Sequence, residues 1–253
     1  MKFIQSKKNE KVKQWKKLLT RKERDKSGLF IIEGEHLVEE AHSAEQIVEL
    51  IVTEQYYAKL PKTKFGGIDL FVIANEIAKV ISDTETPQGI FAVCKQPELR
   101  RVEGKTWLLI DAVQDPGNIG TMIRTADSAG LDAVIVGEGS VDIYNAKVLR
   151  AAQGSHFHLP ITRGNLHQWI EKLEQNNIPV YGTALKNAVS MYEVTPVDKF
   201  ALIVGNEGQG VNEELLRKTV KNLYIPIYGK SESLNVSVAT GILLYYLKST
   251  VND

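Results

Sequence analysis

The chain has 253 residues, 43% of them hydrophobic and 25% charged, which suits one large or two small globular domains. No apolar run approaches the ~20 residues of a membrane span, and the basic start MKFIQSKKNEKVKQWKK lacks the apolar core of a signal peptide. The single cysteine, Cys94, excludes an internal disulfide or a thiolate cluster, and the five scattered His show no zinc spacing, so a cytoplasmic protein without a structural metal is expected.

The formal net charge of zero hides a split. Residues 1–26 hold eleven Lys or Arg against three acids, an excess that the acidic remainder balances. A basic end on an acidic chain suits either a polyanion partner or a solvated helix face. Residues 9–19, NEKVKQWKKLL, read as a short amphipathic helix capped by Asn9, with Val12, Trp15 and Leu19 on one face.

Residues 29–95 alternate between strand and helix patterns. LFIIEG is a strand ending at Gly34, EHLVEEAHSA a helix, VELIVT and LFVIA strands, ANEIAKVIS a helix, and GIFAVCKQP a strand stopped by Pro97. This predicts a small α/β sandwich. PELRRVEGKT, residues 97–106, is polar and aperiodic, as a linker is. The expected division is a basic segment 1–26, a domain 27–96, the linker, and a second domain 107–253.

From Trp107 the predicted order is strand WLLIDAV, helix NIGTMIRTADSAG, strand DAVIVG, helix AKVLRAAQG, strand HFHLPI, helix HQWIEKLEQNN, strands PVYGTAL and FALIVG, helix NEELLRKTV, strand LYIPI, and helix VSVATGILLYYLKS. Apolar strands separated by helices predict a mostly parallel sheet covered on both faces.

Three segments stand at the carboxyl ends of predicted strands, where open α/β sheets bind ligands. They are DPGNIGTMIRTA (115–126), IVGNEGQGV (203–211) and IPIYGKSESLNVSVATG (225–241). The second has neither a Walker Gly-Lys-Ser/Thr nor G-x-G-x-x-G spacing, which argues against a phosphate loop and a dinucleotide fold. Asn118 is read as lying at or near a helix N-cap, with Arg124 roughly 9 Å further along the axis. Ser231, Ser233, Asn235 and Ser237 cluster before an apolar helix, more polar groups than one cap requires.

In order, spacing and position, NIGTMIRTADSAG, LIVGNEGQGV and IPIYGKSESLNVSVATGILLYYL resemble the three signature motifs of the SpoU (TrmH-like) branch of the SPOUT RNA 2′-O-ribose methyltransferases. The likeness runs almost continuously over residues 107–247, and LFIIEGEHLVEEA resembles the small substrate-binding domain of ribosomal RNA members. The resemblance implies an L30e-like RNA-binding domain, then a parallel-sheet domain with a deep trefoil knot, a rare departure from unknotted topology. It implies S-adenosyl-L-methionine as cofactor, walled by Thr183, Ala184, Gly205, Ile225, Ile227 and Leu234, and a homodimer formed through the knot region.

The resemblance also makes Arg124 the central catalytic residue. Free guanidinium, with a pKa above ~12, stays protonated, so a clamp on phosphate and on developing alkoxide suits it better than a base. Asn118 and Asn235 are expected to orient the ribose and the loops, Glu207 to hold Arg124 or the loop, and Ser233 to donate or accept beside them. Lys7, Lys8, Lys11, Arg21 and Arg24 are the expected RNA contacts. The expected activity is 2′-O-ribose methylation of a structured RNA, ribosomal before transfer RNA, with a noncatalytic RNA-binding protein on the same fold as the rival.

Overall fold

A computed structural model of the protein describes residues 1–61, 65–97 and 102–249. Part of the expected linker 97–106 lies outside them. The chain divides into two compact units, Met1–Glu98 with Tyr144–Phe157, and Leu99–Ile143 with His158–Asp253.

The first unit runs β1 (Lys2–Ile4), α1 (Glu10–Lys17), α2 (Arg21–Ser27), β2 (Leu29–Glu33), α3 (Glu35–Ser43), β3 (Ile47–Thr53), α4 (Glu54–Tyr57), β4 (Asp69–Ile73), α5 (Asn75–Ile81) and β5 (Ile90–Lys95). Its sheet has the order β1-β4-β3-β5-β2. β3 and β4 are parallel, whereas β5 runs antiparallel to both β2 and β3. Asn9 caps α1 as expected, its side chain accepting from Lys11 N at 2.9 Å. The apolar face of α1 carries Val12 and Trp15 into a core with Ile51, Phe71, Ile77 and Phe91, and Leu18 just past the helix joins them. Leu19, expected on that face, is only partly buried. Trp15 meets Phe71 edge-on at 5.3 Å and donates its indole N–H to Glu49 Oε2 at 2.7 Å. β1, α2 and α4 carry no sequence signal of their own: β1 and α4 span three and four residues, and RKERDKS shows no apolar period.

The second unit begins with β6 (Thr106–Ile110), α6 (Pro116–Ser128) and β7 (Ala133–Val136). The next helix, α7 (Ala146–Ala152), belongs to the first unit, where Tyr144 and Phe157 flank the buried Phe30 at ring distances of 4.6 and 6.2 Å. The chain then continues with β8 (Ile161–Arg163), α8 (Leu166–Gln175), β9 (Val180–Thr183), β10 (Val189–Ser190), β11 (Phe200–Val204), α9 (Glu213–Leu216), β12 (Lys221–Tyr224) and α10 (Val236–Leu247). The sheet order is β10-β12-β9-β11-β6-β7-β8, and every pairing between its strands is parallel. β6, β7 and β11 are buried along their whole length, which is why they read as unbroken apolar runs.

Several expected boundaries change. HFHLPI is not one strand: Ser155–Phe157 forms a 3-10 turn and the strand starts at Ile161, after Pro160, whose carbonyl accepts from Val134 N at 3.0 Å. β12 ends at Tyr224, before Pro226, which has no N–H for a ladder. α9 keeps four residues of the nine expected. α6 begins at Pro116 with Asp115 as its cap, three residues before Asn118; proline at a first helical position loses no bond the helix needs.

α6 and α10 lie side by side and parallel. Gly241 faces Thr125, where an added Cβ would meet Thr125 Cγ2 at 3.5 Å. Further along, Tyr245 Oη donates to Ser128 O at 3.3 Å and Lys248 Nζ to Gly130 O at 2.6 Å.

Trp15→Ala is expected to destabilise the first unit by ~3–5 kcal/mol, the range for deleting a fully buried aromatic. The check is the urea midpoint of unfolding followed by far-UV circular dichroism; an unchanged midpoint contradicts the role given to Trp15.

Candidate active site

The sheet order places the carboxyl ends of β12, β9, β11 and β6 next to one another. Four loops leave that edge: 225–235, 184–188, 205–212 and 111–115, the last leading into α6. All three segments singled out in the sequence therefore meet here.

A chain of side-chain hydrogen bonds joins them. Asn118 Nδ2 donates to Glu207 Oε1 at 3.0 Å, and Asn235 Nδ2 donates to Asn118 Oδ1 at 3.0 Å. Glu207 also accepts from the backbone N–H of Asp115 at 3.1 Å and of Gln114 at 3.4 Å. At the other end, Asn235 caps α10: its Oδ1 accepts from Ser237 N at 2.9 Å, Ser237 Oγ at 2.6 Å and Val238 N at 3.4 Å. Each amide uses its oxygen toward one loop and its nitrogen toward the next, so the two asparagines and the carboxylate fix three loops at once. Burial pushes the Glu207 carboxyl up, but the hydrogen bonds from the Asn118 amide and from the backbone of Glu207, Asp115 and Gln114 outweigh it and hold the group below its ordinary value.

Asn206 and Asp111 also build the site and were missed in the sequence. Asn206 Oδ1 accepts from Gly208 N and Gln209 N at 2.9 and 3.1 Å, its Nδ2 donates to Ala112 O at 2.9 Å, and its backbone pairs with Gly210 in both directions. Asp111 Oδ2 accepts from Asn212 N at 2.8 Å. The available signal was Asn before Glu-Gly, an Asx-turn pattern. Gly205 has a local reason beyond any ligand: an added Cβ would lie 2.3 Å from Gly210 C and Val211 N, so the loop's own backbone forbids a side chain there.

Arg124 is exposed on α6, and among the described residues its guanidinium has no ion pair or hydrogen-bond partner. Glu207 binds the loop before α6, not Arg124. Ser233 is exposed as well; its carbonyl accepts from Ser231 Oγ at 2.8 Å, and its hydroxyl stands outside the Glu207–Asn118–Asn235 chain.

Thr183 ends β9 and Ala184 follows it, Gly205 follows β11, and Ile225 and Ile227 follow β12, so they occupy three adjacent strand ends. Ala184, Ile225 and Ile227 are half-buried and Leu234 is exposed, an uncharged set that fits a flat adenine edged by backbone groups. The Thr183 hydroxyl donates to Ile203 O at 3.1 Å and is used by the sheet.

The expected RNA contacts in the first unit divide. Lys8 is exposed; Lys7 lies 3.3 Å from Glu76 and Arg21 3.4 Å from Asp25, both as solvated surface pairs. Lys11 pairs with Glu49, the carboxylate that also holds Trp15. Arg24 corrects the sequence reading. It is 5% exposed, its Nη1 donates to Leu18 O at 2.7 Å, and burial lowers its pKa, so this guanidinium serves the fold rather than a ligand.

The profile of the SpoU rRNA Methylase family matches residues 105–245, and that of an MRM3-like substrate binding domain matches residues 9–92. The chain is 53% identical over 249 residues to the 23S rRNA (guanosine(2553)-2′-O)-methyltransferase RlmP of Bacillus subtilis (strain 168), covering 98% of this chain and 100% of that protein. Among solved structures, the AdoMet-bound rRNA methyltransferase from Sinorhizobium meliloti superposes with a TM-score of 0.87 at 29% identity, over 99% of this chain and 98% of the other. The SpoU methyltransferase AviRb from Streptomyces viridochromogenes, in complex with AdoMet, gives a TM-score of 0.86 at 25% identity, over 97% of this chain and 99% of the other.

A carboxyl whose folded pKa is depressed stabilises the fold above its unfolded pKa, and that contribution disappears as pH falls through the folded value. The amide resonances of Gln114 and Asp115 and the side-chain NH₂ of Asn118 are therefore expected to titrate together, with a midpoint below the ordinary carboxylate value. Glu207→Gln should abolish that titration. A midpoint at or above the ordinary carboxylate value contradicts the assignment of these bonds.

Proposed function

The chain belongs to the SpoU rRNA methylase family, and from that premise we propose that it methylates a ribose 2′-hydroxyl of 23S ribosomal RNA with S-adenosylmethionine. The observation that carries this reading is the hydrogen-bonded chain Glu207–Asn118–Asn235 across three strand-end segments, with Arg124, unpaired among the described residues, on the same helix as Asn118.

S-adenosylmethionine, when bound, supplies a sulfonium methyl and keeps the electron pair of the breaking S–C bond. The protein's task is then to place one ribose in line and to manage one proton. The half-buried apolar residues Ala184, Ile225 and Ile227, with Leu234, line the adenine side, and Gly205 lets the backbone turn beside them. Arg124 holds a neighbouring phosphate and lowers the energy of negative charge growing on the 2′-oxygen. That proton leaves to a phosphate oxygen or to water. Glu207, Asn118 and Asn235 act by positioning, since their polar atoms are spent on one another and on loop backbone. Ser233, whose hydroxyl is outside that chain, is available to the ribose.

The five-stranded first unit is read as an L30e-like RNA holder, with Lys7, Lys8 and Arg21 on phosphates; binding should weaken steeply with salt. Lys11 contributes mainly to the fold. The loops around β9, β11 and β12 are read as the trefoil knot. A homodimer is supported by an exposed apolar stripe along α10, where Val238, Ile242 and Tyr245 are 51, 38 and 57% exposed. Cytoplasmic residence is part of the same reading.

Mapping 2′-O-methylation at nucleotide resolution in 23S rRNA, with and without the gene, should show one site lost, and the position corresponding to guanosine 2553 of the relative's substrate is where it is expected. Purified Arg124→Ala should bind S-adenosylmethionine normally while kcat falls by ~10²–10³, as when one transition-state donor is removed. A folded, cofactor-binding Arg124→Ala enzyme with near wild-type kcat refutes the role of Arg124, and an unchanged methylation map favours a noncatalytic RNA-binding protein.

A further inference from the structure

Tyr228 is 87% exposed, the highest value among the exposed large hydrophobic side chains of the described residues. Its position is informative. It follows Ile225 and Ile227 in the loop that ends at Asn235, and that loop is tied to α6 through Asn118. Leu185, 73% exposed, leaves the neighbouring strand β9 at the same sheet edge, one residue after Ala184. The register sets the two strand ends side by side: Leu223 pairs with Thr183, and Ala184 N donates to Leu223 O at 3.1 Å. Two bare apolar side chains thus lie in the loops that leave adjacent strand ends, and the loop of Tyr228 is otherwise polar after Ile227, with Lys230, Ser231 and Ser233. The Tyr228 phenol has no hydrogen bond or ring partner among the described residues, so nothing in the fold explains the aromatic ring.

We propose that Tyr228 is the stacking platform for the nucleobase of the nucleotide being methylated, with Leu185 as an apolar edge to it. The inference rests on the methyltransferase reading and adds a base-binding residue to it. Its physical case comes from the substrate. Structured RNA is read mainly at loops and bulges, whose unstacked bases are splayed out onto protein side chains. A bared base finds a replacement partner in an exposed aromatic face, and such stacking tolerates every base because each has a π-face. The flanking residues that line the cofactor and position the ribose set the distance scale: the loop that carries Tyr228 also carries Ile227 on one side and Ser233 and Asn235 on the other.

The test uses the full-length enzyme, S-adenosylmethionine and a 23S rRNA transcript, with a second transcript that lacks the base at the methylated nucleotide but keeps its ribose. Tyr228→Phe and Tyr228→Trp should keep kcat/KM within about threefold. Tyr228→Ala should lose about 10- to 100-fold, the range equivalent to one base–aromatic stack. On the abasic transcript wild type and Tyr228→Ala should be equal. Affinity for S-adenosylmethionine and oligomeric state should not change in any variant. The inference is overturned if Tyr228→Ala matches wild type on the normal transcript, if its deficit persists on the abasic one, if it weakens the cofactor instead, or if it dissociates the oligomer. Failure of wild type to methylate any transcript counts against the methyltransferase reading, whereas a normal wild type with an indifferent Tyr228→Ala counts against the stacking role alone.

Discussion

Two hydrogen bonds, Asn118 to Glu207 and Asn235 to Asn118, are the constraint on which the site depends. They are bonds between side chains separated by 89 and 117 residues in sequence, so no local propensity places them. The two ends of the chain are anchored differently. Glu207 is held by two backbone N–H groups at the entrance to α6, and Asn235 by the first turn of α10. Because α6 and α10 are parallel neighbours, locking their amino ends together fixes the direction in which both helices leave the sheet. Arg124 then has a defined place more than a turn along α6, with no partner among the described residues that would compete for phosphate. A guanidinium already paired with a carboxylate would have to break that pair before clamping an anion; this one does not.

The sheet supplies the platform. Parallel order brings the carboxyl ends of β12, β9, β11 and β6 to one edge, and the fully buried β11 and β6 make that edge rigid. Loop 205–211 is then folded tightly on itself. Asn206 closes the turn and Gly205 permits backbone to approach backbone at a distance no Cβ tolerates. Glu207 is presented from the tip of that turn. The first unit anchors its amino-terminal helices by another route, using Glu49 as a shared acceptor for Lys11 and Trp15 and burying Arg24 against Leu18 O. Part of the amino-terminal positive charge is therefore consumed by the fold, and the charge left for a polyanion is smaller than composition indicates.

What was legible in the sequence follows from range. Strands buried on both faces read as apolar runs, as TWLLI and FALIV do, and α1 and α10 read from their caps and apolar content. Asn118, Glu207 and Asn235 were picked out because they sit in glycine- or serine-rich strand-end segments that resemble known motifs. Their mutual bonding was not legible: the sequence leaves Glu207 to hold either Arg124 or the loop, and the structure gives it to Asn118 and to the backbone of the loop before α6. Charge counting groups Arg24 with the surface bases because it cannot see a carbonyl six residues earlier that turns a guanidinium inward. Two-residue β10 and the one-turn α4 are too short to show a period, and Asp115 was overlooked as a cap because Asn118 is an equally good cap residue. The reason for Gly205 lay in tertiary contact alone.

The most direct test of this account is a double-mutant cycle on kcat/KM for RNA methylation with Asn118→Ala, Asn235→Ala and the double variant, each shown to be folded and to bind S-adenosylmethionine. If the two amides act as one positioning unit, the second substitution adds little to the first, and the coupling lies within the ~0.5–3 kcal/mol typical of directly bonded side chains. Additive losses would mean that Asn118 and Asn235 act independently, and that the hydrogen bond between them does not set the geometry of the site.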